Sequence, residues 1–376
     1  MKEKILPILV LISIILMAWI SPKYTEVYKG GKVFKQEFVS GKIIRIVEEN
    51  LMKDPVIEGK FRGSQKLEVE ILEGSEKGNI HPVYNTLSNL HNTYATKDLK
   101  AIFTVREKDG KKIVWLYNQK RDVFLYGLST VFLLLVFIMG KMKGVKSILS
   151  LIFTGAVIIY LLLPMLFAGV EPIPSSIALV SIIILISFLL IGGFNRKTYS
   201  AIIGTIFGIT LGGLISYFSG EVMNLSGINM EGGEQLLYIA KDYSLKIKGL
   251  LFVSILIASL GAVMDVAMSI ASSTNELYEH QRDISMGQLF ISSMNIGKDI
   301  MGTMVNTLIL AFAGSSLPMI MMIWGYDMSY NQFINIPSIA IEITNGLAGS
   351  IGIIATVPFT AAISIMFIKR EKREMK

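Results

Sequence analysis

Asp265 is the residue in this sequence best placed to do chemistry. It lies in Leu260-Gly261-Ala262-Val263-Met264-Asp265-Val266-Ala267-Met268-Ser269-Ile270, within an apolar run long enough to cross a bilayer. An ionisable group at that depth is expensive, so it marks a functional site by default. Asp265, Ser269 and Ser272 recur at i, i+4 and i+7, and Thr303, Asn306 and Thr307 of the next apolar run at i, i+3 and i+4, so each set shares one helix face. With a rise of about 1.5 Å per residue, Asp265 sits roughly 9 Å inside its span and Asn306 roughly 6 Å inside the following one. The expectation is that the two faces meet, so that a carboxylate among hydroxyls and an amide holds a proton or small cation. Two plainer readings compete: a helix that ends earlier and leaves Asp265 at the interface, and an acid that only pins helices together.

Other polar residues have weaker claims. Lys298-Asp299 is expected to form an ion pair at a helix start, with proton relay as the alternative. Glu342, with Asn345, stands at the outer start of the last span, where a helix N-terminus favours a carboxylate; an outer ion gate is the second reading. His81, His91 and His280 are dispersed and cysteine is absent, so no metal site is expected. The methionines around Met319, Met321 and Met322 read as packing residues rather than soft-metal ligands. There is no P-loop, H-E-x-x-H or G-x-S-x-G, and Gly30-Gly31 and Gly232-Gly233 are lone turn signals. Neither an enzyme nor a cofactor is expected.

The elements that carry these residues are apolar helices. Eight stretches approach the roughly 20 residues that a spanning helix needs, at about 5–21, 122–140, 146–168, 175–194, 199–219, 248–271, 302–324 and 346–368. A composition of 52% hydrophobic and 17% charged residues, with mean hydropathy +0.56, exceeds what a soluble core buries. The net charge of +7 reflects cytoplasmic helix ends rather than nucleic-acid binding. Lys141, Lys143, Lys146, Arg196, Lys197, Arg282 and Lys298 fall on one side with both termini, whereas the short loops opposite hold only Lys241, Lys246 and Lys248. By the positive-inside rule both termini are cytoplasmic, in a bacterial cytoplasmic membrane. The first span lacks a small-x-small cleavage site and reads as an uncleaved anchor, with a signal peptide as the alternative.

Between the first two spans, residues 22–121 form an extracytoplasmic β domain. Lys66-Leu67-Glu68-Val69-Glu70-Ile71 alternates polar and apolar, Val33–Val47 reads as another strand, and two runs flank the hairpin signal Lys108-Asp109-Gly110-Lys111. Four to six strands in a small barrel or sandwich follow, with a protein partner as one role. In the fifth span Gly204, Gly208, Gly212, Ser216 and Gly220 recur every four residues. That stripe predicts close helix packing within the chain, with a face between copies in a homo-oligomer or the lining of a conduit as the alternatives. Residues 273–301, with Met286, Leu289, Phe290, Ser293 and Met294 at helical spacing, predict an amphipathic helix along the inner interface. The bilayer itself is the first partner.

Gly261–Ile270 and the segment Gly297-Lys298-Asp299-Ile300-Met301-Gly302-Thr303-Met304-Val305-Asn306-Thr307, continuing to Gly314, resemble the YibE/F family of bacterial membrane proteins. The likeness extends over nearly the whole chain and implies a multi-pass protein without assigning an activity. A weaker likeness is to the RND superfamily, including the SecD/SecF translocase subunits. There an intramembrane Asp follows a small-residue stretch, which implies a proton-linked role for Asp265. This chain departs in having an extra helix pair before Asp265, no basic residue soon after it, and a single RND-like half. The functional expectation is a secondary transporter or proton-coupled translocation component; a non-transporting assembly or signalling scaffold is the alternative.

Overall fold

The computed structural model describes residues 2–28, 36–89, 91–108, 111–240 and 244–374. Two compact units divide the chain, one of residues 31–135 and one of residues 1–30 with 136–376.

The first of these is a β half-barrel. Strands β1 (Gln36–Lys53), β2 (Phe61–Ile71), β3 (Ile80–Leu87), β4 (Lys100–Lys108) and β5 (Lys111–Gln119) form one antiparallel sheet in the order β3-β2-β1-β4-β5. The edge strands β3 and β5 approach each other. The alternation read in β2 is real burial: Leu67, Val69 and Ile71 are fully buried, while the acids and Lys66 between them are not. They pack with Ile43, Val83 and Phe103. Bulges in β1 after Ile43 and Ile46 give the long strand its bend. Gly41 is required there, because a Cβ would stand 2.7 Å from the Phe103 ring. Gln65 is polar and fully buried in this core. Gln65 accepts from Ala95 N and Asn85 Nδ2, both at 3.0 Å, and so closes the segment before β4 over one end of the core. β4 and β5 pair through Lys108 and Lys111; the hairpin residues Asp109-Gly110 lie outside the described residues, as do Gly30-Gly31 and the start of the strand expected from Val33.

The other unit is helical: α1 (Lys2–Tyr28), α2 (Asp122–Val157), α3 (Leu163–Phe167), α4 (Pro172–Gly192), α5 (Arg196–Val222), α6 (Gly233–Ala240), α7 (Leu250–His280), α8 (Met286–Ser315), α9 (Leu317–Gly325), α10 (Tyr330–Phe333) and α11 (Pro337–Glu374). α2 crosses the division between units and runs through a π turn, Ile158–Leu162, into α3. It is not straight. Lys141 has φ 46°, and Gly144 rests against the carbonyl of Val136. Eight residues of straight helix would hold those two about 12 Å apart, so the chain folds back at Lys141. Among the described residues six helical stretches are long and apolar enough to cross a membrane: Asp122–Phe167, Pro172–Gly192, Arg196–Val222, Leu250–His280, Met286–Ser315 and Pro337–Lys372; Ile5–Ser21 is apolar but shorter.

The segment 273–301 departs from expectation. It holds the end of α7, a turn, and the first half of α8, with Ser285 capping α8 through a bond from Gln288 N to its hydroxyl at 3.2 Å. Its apolar row packs inward, with Leu289 fully buried, instead of lying along an interface as a separate helix.

At the centre of the unit α5 lies against α11. Gly208 and Gly212 approach the carbonyls of Gly352 and Ala348 so closely that a Cβ would stand 2.8 and 2.9 Å from them, and Gly204 meets Thr360. α11 answers with its own small-residue row, Ala348, Gly352, Thr356, Thr360 and Ser364, also every four residues. Neither row bears bulk, so the backbones touch.

Candidate functional site

α7 begins after Gly249, whose φ of 94° turns the chain into the helix. Its row Ser259, Val263, Val266, Ile270 and Thr274 is buried and meets α8 and α11. Asp265 stands five residues from Ile270, about 140° round the helix, and is therefore on the opposite side. It is exposed, as are Ala258 and Gly261, and a Cβ on Gly261 would find no atom within 4 Å. Ser269 and Ser272 on the same side are half-buried. No described residue forms a hydrogen bond or ion pair with the Asp265 carboxylate.

The pairing of α7 with α8 fixes the depth of this acid. Thr274 donates to Ser293 at 2.9 Å, Ile270 lies beside Gly297, and Ser259 and Leu308 both flank Gly349. Counting along the antiparallel pair sets Asp265 level with Gly302. Thr303, Asn306 and Thr307 are therefore at the expected depth, but all three are exposed. Asn306 is nine residues from Gly297, two and a half turns, and so faces away from α7. The hydroxyls of Thr303 and Thr307 donate to Ile300 O and Thr303 O, each at 2.9 Å. The expected meeting of the two polar faces does not occur. Small and apolar residues take up the α7–α8 contact, which leaves both polar rows on the outside of their helices.

The secondary residues move as well. Lys298 and Asp299 lie in the middle of α8 rather than at its start, because the helix begins at Met286; both are exposed and no ion pair joins them. Glu342 is half-buried in the second turn of α11, which begins at Pro337, and it lines two clefts together with residues of α8 and α9. Asn345, one turn on, is buried with its Oδ1 unpartnered among the described residues. Chemically, an unpaired carboxylate on the outer side of an apolar helix, level with a row of hydroxyls and amides on the neighbouring helix, can take up a proton or attract a cation from outside the bundle.

Arg196 was legible in the sequence only as a positive charge at a helix end. Its guanidinium reaches Asn275 Oδ1 at 3.0 Å, Glu279 at 3.8 Å and Glu371, and lies 6.0 Å from the Tyr278 ring centroid. It thereby joins the ends of α5, α7 and α11. The nearby acids were visible in the sequence; their convergence was not.

Helices long and apolar enough to cross a membrane, a small-residue helix interface and a separate β half-barrel suggest the class, a multi-pass helical membrane protein. The chain belongs to the YibE/F-like family, whose model matches residues 128–370, well over half its length. No curated protein and no solved structure matches it.

Proposed function

We propose that this protein is a component of a proton- or cation-linked translocation system in the bacterial cytoplasmic membrane, with Asp265 as the group whose charge changes. The observation that carries the reading is an unpaired carboxylate in the apolar body of α7, level with an exposed polar row on α8. Such an acid gains from a proton or cation, and a side chain that gains from either is suited to couple their movement to another step. In this reading eight spans cross the membrane, α2 contributing two of them, both termini are cytoplasmic, and the β half-barrel works outside without enzymatic chemistry of its own. The substrate is unassigned.

One observation favours a second reading. Asp265 faces out of the bundle, as expected of a scaffold whose acid meets another chain, whether a partner protein or a second copy. Replacing Asp265 by Asn separates the two. A coupling acid is silenced, because the amide mimics only its protonated form, whereas an assembly contact keeps a hydrogen-bonding group of the same shape. The assay is complementation of a deletion phenotype at matched protein level; full complementation by Asp265→Asn rejects coupling.

A further inference from the structure

Where α11 begins, two clefts of about 440 and 570 Å³ share Ser316, Met319, Ile323 and Glu342. The first is walled by hydrocarbon, including Ile309, Phe312, Ile320, Phe333 and Leu347, with Glu342 its one charged residue among those described. The second adds Asn229, Glu231 and Ser338, so that a second carboxylate enters the same space from the segment before α6. Among the described residues no Lys, Arg or His lines either cleft, and neither acid forms a hydrogen bond or ion pair.

The chemistry of these walls selects the occupant. Two carboxylates facing one cavity repel each other and any anion, and a neutral acyl chain would cover the hydrocarbon while leaving both acids unpaired. A small hydrated metal ion would satisfy the acids but gain nothing from the apolar walls. A positive charge carried on an apolar body satisfies both, the charge at Glu342 where the clefts join and the body between Phe312 and Phe333, whose ring faces also favour cations. We propose that the joined clefts bind a lipophilic organic cation, with Glu342 as its principal counter-ion and Glu231 as a second. This binding does not depend on any role for Asp265.

Tetraphenylphosphonium is the probe, and equilibrium dialysis of the full chain in dodecyl maltoside is the measurement. Saturable binding is expected, weakened roughly tenfold by Glu342→Gln. Tetraphenylborate, of the same shape and opposite charge, should not bind. Leu347→Trp supplies a second variant should Glu342→Gln fail to accumulate, since Leu347 is exposed at the cleft wall and a larger ring there obstructs the cavity without touching the acids; it too should weaken binding. Phosphonium binding that is unchanged in either folded variant, or borate bound as tightly as phosphonium, overturns the proposal.

Discussion

The hydroxyl of Thr274 donates to that of Ser293 at 2.9 Å, a buried bond between α7 and α8 that sets their register and with it the depth of Asp265. The chain has no cysteine of its own, so paired cysteines can test this contact. Thr274→Cys with Ser293→Cys should oxidise readily, because the two side chains already face each other within disulfide reach. Asp265→Cys with Asn306→Cys should remain reduced within one chain, since both point away from the shared contact. Maleimide protection after mild oxidation reports each outcome, and the reverse pattern would mean that the polar faces meet after all.

Packing of α5 on α11 predicts that Gly208→Leu is severe. The new side chain would collide with Thr356 and with the Gly352 carbonyl, and overpacking of this kind costs about 1–3 kcal/mol or more. Ile203→Leu, on the exposed side of the same helix, should be close to neutral. Thermal unfolding of the two variants in detergent checks the difference; equal midpoints would remove the close contact.

Arg196 should not be replaceable by lysine. Its planar fork meets Asn275, Glu279 and Glu371 while lying near the Tyr278 ring, and a single ammonium does not match that geometry. Both Arg196→Ala and Arg196→Lys are expected to lower stability by about 1–3 kcal/mol, measured as a drop in the unfolding midpoint. Full recovery with lysine would show that charge alone suffices.

Acid should loosen the β half-barrel. Lys112, Asn79 and His81 hold the Glu76 carboxyl down to about 2, and Arg62 with the backbone N–H groups of Val56 and Ile57 does the same for Asp54. Both pKa values are depressed on folding, so their stabilisation is complete above the ordinary carboxylate range near pH 4.5 and is lost as pH falls towards 2. In a Trp19→Phe, Trp324→Phe background, Trp115 is the single indole left of three and reports the melting of this unit. Its midpoint should fall between pH 4.5 and 2, and less steeply in Glu76→Gln. An unchanged slope would mean that Glu76 gains nothing from its partners.

The proposed topology is tested by labelling in intact cells. A cysteine at Glu58, exposed in the β half-barrel, should react with an impermeant maleimide, and one at Lys369 should not. Reaction at Lys369 alone would invert the orientation.

Much of this architecture is local and therefore legible from the chain alone. Apolar length reports a helix that must leave water, strict alternation at Leu67, Val69 and Ile71 reports a half-buried strand, and the four-residue repeat at Gly204, Gly208 and Gly212 reports a face without bulk. The matching row Ala348, Gly352, Thr356, Thr360 was equally present in the sequence, but it acquires meaning only once α5 is known to be its neighbour. Periodicity states which residues share a face and is silent about where that face points. Asp265, Ser269 and Ser272 could thus be grouped from spacing, yet whether they looked inward was decided by Ile270, Gly297 and Val357 meeting on the other side. The continuation of α7 and α8 through 273–301 was missed for the same reason. Its polar residues suggest an interface when read locally, whereas the buried bond from Thr274 to Ser293 makes them part of a helix pair. Arg196 with Glu279 and Glu371 at one site, and Glu231 with Glu342 at the clefts, come from segments far apart in the chain, and only packing brings the members of each set together.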